Sequence, residues 1–102
     1  MWQRAISGSG EGRSGIEEVE YRTFSLAANA KFNISVTKKA LGIAYCFGTD
    51  ANIRYCYDGL NNNKIFVNGT EVSATCTFTD SAITSDVGIS GSARNVYMVI
   101  IY

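Results

Sequence analysis

Histidine and proline are both missing from this 102-residue chain. Without an imidazole, Ser-His and Cys-His nucleophile pairs are excluded, and so are zinc sites that require a histidine ligand. Without proline, strands must be ended by Gly, Asn and Asp. Net charge is lacking as well, since nine basic residues balance nine acidic ones. That balance leaves no electrostatic footprint for nucleic acid or anionic lipid. It also gives weak protection against self-association. Long apolar runs are absent. The terminal "VYMVIIY" (96–102) is too short to cross a bilayer as a helix. The opening residues hold no apolar run of secretory-signal length, so neither a membrane partner nor export is expected.

What is present describes one globular domain, with 46% apolar and 18% charged residues. Cys46, Cys56 and Cys76 are odd in number, and each sits in an apolar stretch. Buried free thiols in a reducing compartment are the expectation, with one disulfide plus a spare thiol as the sharper alternative. Their spacings match no metal-ligand pattern. Residues 7–15, "SGSGEGRSG", have the composition of a flexible tether. The expected organisation is therefore an arm over 1–15 and a folded domain over 16–102.

From Ile16 onward the pattern has period two. "VEYRTFSLA" (19–27) puts Val19 and Tyr21 on one face but Phe24 and Leu26 on the other, which predicts a bulge or a short break near Thr23. "KFNISV" (31–36) points Phe32, Ile34 and Val36 inward. "LGIAYCF" (41–47) sets Leu41, Ile43, Tyr45 and Phe47 against small residues, as a central strand would. "NIRYCY" (52–57) follows as the other half of a hairpin, and "DGLNNN" (58–63) makes a turn. "KIFV", Asn68-Gly69 and "TEVSATCTF" form the strongest hairpin signal, because Asn and Gly both tolerate the positive φ of a type I′ turn. Residues 79–86 are expected to be a turn-rich stretch with one helical turn near Ala82, and "VGIS" (87–90) a short strand. "VYMVIIY" carries apolar residues on both faces. Such a strand must be central in the sheet or covered by another subunit. Seven or eight short strands and minimal helix predict an all-β fold, an antiparallel β-sandwich, with a small β-barrel as runner-up.

Motifs that could carry chemistry are weak. Gly10–Gly15 fits G-x-G-x-x-G in letters, but no strand precedes it and no helix follows. Glu17, Glu18 and Glu20 cluster near a strand start, where charge deters unwanted pairing. Asp58–Asn63 offers oxygen ligands, yet a tight turn needs the same residues. Asn33-Ile34-Ser35 and Asn68-Gly69-Thr70 match the glycosylation acceptor, which requires secretion. Tyr45, Tyr55, Tyr57, Tyr97 and Tyr102 suit core or interface packing, with a stacking platform for sugars as the less favoured reading. No carboxylate pair can be placed at a glycosidase separation. No catalytic, cofactor or metal residue is assigned.

The two ends carry a resemblance. "MWQRAISGSGEGRSG" and "SAITSDVGISGSARNVYMVIIY" resemble the ends of small accessory virion proteins of tailed bacteriophages. Those often open with an early tryptophan on a Gly/Ser arm and close on a tyrosine-bearing strand after a glycine-containing turn. The longer glycine runs often seen there are missing here. The resemblance implies a non-enzymatic structural part of a tail fibre, baseplate or capsid decoration, assembled in the bacterial host cytoplasm. It implies other virion proteins and further copies of the chain as partners. An arm bearing Trp2, Arg4 and Ile6 would dock on a neighbour, where the indole could bury about 150–250 Å². The alternative function is carbohydrate binding, with a host surface glycan as partner. Tyr55, Tyr57, Asn61 and Asn62 are the candidate interface or glycan contacts.

Overall fold

The computed structural model describes residues 18–48 and 51–102. The arm, with Trp2, Arg4 and Ile6, lies outside the described residues. Eight strands follow in order: β1 (Val19–Leu26), β2 (Asn33–Ser35), β3 (Gly42–Phe47), β4 (Arg54–Tyr57), β5 (Lys64–Val67), β6 (Thr70–Phe78), β7 (Ala82–Ser85) and β8 (Arg94–Ile101). They form one antiparallel sheet in the order β1-β8-β3-β4-β5-β6-β7-β2, curled into a half-barrel. The expected all-β class holds. Of the two architectures weighed, the single curled sheet sits with the barrel rather than with two separate stacked sheets.

The curl has a visible cause in β6. Lys64 faces Thr75 while Phe66 faces Glu71, so two steps along β5 answer four along β6. Extra residues in one strand bend it and increase its twist. Past that bend, Cys76–Phe78 pair with β7 instead, and β7 in turn carries β2. This returns β2 to the inner face of β3, where the ring of Phe32 meets Tyr45 edge-on at 5.9 Å. The core between them is Ile34, Ile43, Phe47, Ile65, Ile83, Val96 and Ile100, with the thiols of Cys56 and Cys76. Tyr102, just past β8, is buried too.

β8 lies centrally, paired with β1 on one side and β3 on the other. Of the two placements that its apolar faces left open, central in the sheet or covered by another subunit, this is the first. The Asn68-Gly69 turn has positive φ at both residues, 50° and 88°, and joins Val67 to Thr70 as a type I′ hairpin does.

Four expectations are corrected. β1 has no bulge, because its register to β8 runs unbroken from Val19↔Ile101 to Leu26↔Arg94. The apparent phase shift arose because Glu20 and Arg22, not Val19 and Tyr21, turn to the inner side. Leu41 ends up exposed, one residue before β3. The expected turn at 79–86 contains strand β7, whose Ile83 is fully buried. The expected strand at 87–90 is loop, with Val87 exposed.

Candidate functional site

Two polar clusters and one outer surface are the candidate functional regions. The first cluster lies where the curled sheet comes back on itself. Glu20 and Arg22 are neighbours on the inner side of β1, because alternate residues share a face. Arg22 Nε donates to Glu20 Oε2 at 2.6 Å, and Arg22 Nη2 donates to the Ser35 carbonyl of β2 at 2.7 Å. The Tyr102 hydroxyl donates to Glu20 Oε1 at 2.8 Å. Lys38 Nζ pairs with Glu18 at 2.7 Å and sits 5.1 Å from the Tyr102 ring centroid. Arg22, and then the Tyr102 hydroxyl, hold the Glu20 carboxyl below its ordinary value of 4.5. Burial, and then Glu20, push the Tyr102 phenol up to about 12. A carboxylate so fully paired is a poor general base. The cluster works as a latch between the first and last strands of the sheet.

The second cluster is the asparagine turn. Asn61, Asn62 and Asn63 all have positive φ, at 48°, 60° and 63°. Asn enters this region more easily than most residues because its short side chain bonds locally. Asn63 ties the turn to the body. Its Oδ1 accepts from the Gly59 N–H at 2.7 Å, and its Nδ2 donates to Asp58 Oδ1 at 3.1 Å and to the Cys76 carbonyl at 3.0 Å. Asn63, then Lys39, hold the Asp58 carboxyl below its ordinary value. Asn61 Nδ2 donates to Glu71, which also meets Lys64. The carboxylates of this turn are thus occupied by nitrogen donors. Among the described residues no group of three or more His, Cys, Asp or Glu is placed to hold a metal.

The expected tyrosine contacts have separate fates. Tyr55 stacks on Phe66 with centroids 5.2 Å apart and planes 4° from parallel, so one face of its ring is already covered. The Tyr57 ring lies across Gly42, where an added Cβ would come within 2.8 Å of it. Tyr45 is core. Asn61 and Asn62 are exposed on the turn below β4. These residues do not form a row of parallel open rings.

Sequence reasoning singled out Tyr97 but not the surface it belongs to, which is on the outer side of β1 and β8. Tyr21 is 77% exposed, the highest value among the large apolar side chains that are exposed, and Tyr97 and Val19 are exposed beside it. Thr23, Ser25, Asn95 and Tyr97, with Phe24, line a shallow groove of about 340 Å³ there. Ser25 Oγ donates to Asn95 Oδ1 at 3.2 Å across its floor. The signal for this surface was the odd-numbered half of β1, once the inner half is known to be Glu20, Arg22, Phe24 and Leu26.

All three cysteines are free thiols, Cys56 and Cys76 buried and Cys46 half-buried. Cys56 Sγ donates to the Asn63 carbonyl at 3.2 Å. Its contact with Cys56, and then burial, hold the Cys76 thiol well above the ordinary thiol range. A thiol kept protonated is a weak nucleophile. No family model, no curated protein and no solved structure matches this chain.

Proposed function

We propose that the chain is a non-enzymatic structural component of a tailed-phage virion, which docks through residues 1–15 and associates with further copies of itself. The resemblance of its two ends supports the setting. The observation that carries the structural role is β1. Its outer side exposes Val19 and Tyr21, and among the described residues only one of its edges is paired. The polar clusters, by contrast, are engaged in holding the sheet in shape. Removing residues 1–15 tests the docking role. Particles assembled with the shortened chain should lack it, while its β-domain melts as the full chain does. Normal incorporation of the shortened chain refutes the proposal.

A second reading, carbohydrate binding, is favoured by the outer groove. There the ring of Tyr97 stands beside the hydroxyls of Thr23 and Ser25 and the amide of Asn95. A ring face with adjacent hydroxyl and amide groups suits a pyranose. Tyr97→Ala should then abolish binding to host-wall polysaccharide, and absence of binding by the intact chain dismisses this reading.

A further inference from the structure

We propose that β1 is the edge through which two copies of this chain join, antiparallel, about a two-fold axis at Tyr21. This rests on the reading of the chain as self-associating and gives that association a definite surface.

The direction of each β1 backbone group follows from one bond. The Tyr102 N–H donates to the Glu18 carbonyl at 2.9 Å, and the register continues from there as Val19↔Ile101 and Glu20↔Ile100. In an antiparallel ladder, directly opposed residues alternate between bonded and non-bonded pairs. Even-numbered residues of β1 therefore bond to β8. The N–H and C=O groups of Val19, Tyr21, Thr23 and Ser25 point to the opposite, open edge. None of them has a backbone partner among the described residues. A long unpaired edge is a template for another strand unless charge, proline or a bulge blocks it. β1 has no proline, its register is unbroken and its outward side chains are uncharged. The charges that it carries, Glu20 and Arg22, turn inward and are opposite in sign, so they disfavour some registers of a partner strand rather than all.

Pairing to a second copy is selected by the side chains. Backbone parity allows residue-centred two-fold registers, of which those centred on Tyr21, Arg22, Thr23 and Phe24 pair five or more residues of β1 in each copy. Centring on Phe24 sets Arg22 against Leu26. Centring on Arg22 sets like charges directly opposite each other, which is destabilising. Centring on Thr23 sets Arg22 against Phe24 and Glu20 against Leu26. Centring on Tyr21 sets Glu20 against the partner's Arg22, and Arg22 against the partner's Glu20. Those are non-bonded pairs, where side chains approach most closely, at about 4.5–5.5 Å between Cβ atoms. On the outer side the same register brings the two Tyr21 rings together and Val19 against Thr23. Charge complementarity on one face and aromatic contact on the other thus agree on one register. The result is one sheet continuous across both copies.

The test is sedimentation of the full chain across the micromolar-to-millimolar range. The expected species is a reversible dimer of twice the 11.1 kDa chain mass. Thr23→Pro removes an N–H from the open edge without removing one from the β8 ladder, a placement that edge strands tolerate. It should weaken the dimer roughly tenfold or more while the melting curve is preserved. Tyr21→Lys, which opposes two ammonium groups at the axis, should do the same and recover partly in high salt, so a misfolded proline variant does not leave the matter open. A wild-type chain that stays monomeric overturns the inference, as does a stoichiometry other than two. Wild-type affinity in both variants also overturns it, but then self-association runs through another surface and the proposed function stands. Strand addition of a different protein's segment to a monomeric chain overturns it too.

Discussion

Replacing Asn63 should destabilise the domain more than any other change in the 58–63 turn. The side chain makes its bonds to Gly59, Asp58 and the Cys76 carbonyl at 2.7, 3.1 and 3.0 Å. Each is worth about 0.5–1.5 kcal/mol net, and the two on the solvent side belong at the low end, so losing all of them costs about 2 kcal/mol. Its φ of 63° adds a second penalty for alanine. A Cβ-bearing residue without a local hydrogen bond loses about 1 kcal/mol more in the left-handed region. Asn63→Ala should therefore cost about 3 kcal/mol, and Asn63→Gly, which keeps the backbone at ease, about 2. In a domain of this size Asn63→Ala corresponds to a melting point lower by roughly 10–20 °C. Urea unfolding measures both variants, and the denaturant slope should not change, since the surface exposed on unfolding is the same. A titration of Asp58 gives a separate readout. Its carboxyl should return toward its ordinary value in Asn63→Ala, because the Asn63 amide is the largest influence lowering it. The reasoning fails if alanine lies within about 0.5 kcal/mol of wild type, or if glycine is worse than alanine.

At the latch, Glu20 has a depressed folded pKa, so its contribution is present above its ordinary 4.5 and is lost as pH falls through the lowered value. Tyr102 has a raised one, so its contribution is present below 10.0 and is lost as pH rises toward about 12. The gap in stability between wild type and Glu20→Gln should be under about 1 kcal/mol near neutrality, since the pair is partly exposed, and should shrink in acid; melting curves against pH check both. Gly42→Ala should cost about 1–3 kcal/mol by overpacking, because its Cβ would meet the Cys56 carbonyl at 2.8 Å and the Tyr57 ring at 2.8 Å. Adding Tyr57→Ala should restore only part, because the carbonyl belongs to the neighbouring strand's backbone. Gly69→Ala meets nothing within 4 Å but sits at φ 88°. Its cost, about 1 kcal/mol, should be purely conformational and unaffected by second-site changes.

The parts of the fold legible in the sequence are those set by local chemistry. Strict alternation in residues 31–36 and 70–78, and the positive φ that Asn68-Gly69 tolerates, need no knowledge of distant residues. β7 was not legible for the opposite reason. "AITS" has one strongly apolar residue, and it is a strand because β6 and β2 pair with it on either side, with Phe32 extending the second ladder through its N–H on Ser85 Oγ and its carbonyl on the Ser85 N–H. β1 misled because charged residues are expected to face outward, whereas Glu20 and Arg22 turn inward at the open end, where they satisfy each other. The same inversion hid the outer surface, since Tyr21 could not be known to be exposed until the inner half of β1 was assigned. Tyr55 and Tyr57 were visible as aromatic residues, but whether a ring stays open depends on its cross-strand neighbour. Phe66 covers one ring and the backbone at Gly42 receives the other.

The two ends of the sheet, β1 and β2, are consecutive in the chain, so the 27–32 connection crosses the opening of the half-barrel. It is held close. The Asn29 N–H donates to the Ser90 carbonyl at 2.7 Å, and Gly88 lies so near that a Cβ there would come within 2.3 Å of the Asn29 carbonyl oxygen. Closure by a backbone ladder would need β2 to run the length of β1, yet β2 spans only Asn33–Ser35. Side chains reach across instead, Arg22 to the Ser35 carbonyl and Lys38 to Glu18. Among the described residues side-chain closure leaves the open edge of β1 without a backbone partner, whereas ladder closure would have consumed it. It also leaves capacity in the latch. A guanidinium carries five N–H donors, and the bonds to Glu20 and Ser35 use the Nε and Nη2 groups. Donors therefore remain for a partner's Glu20. Shutting the half-barrel and extending its sheet into a second copy are compatible uses of the same arginine, so association does not require the monomer to open.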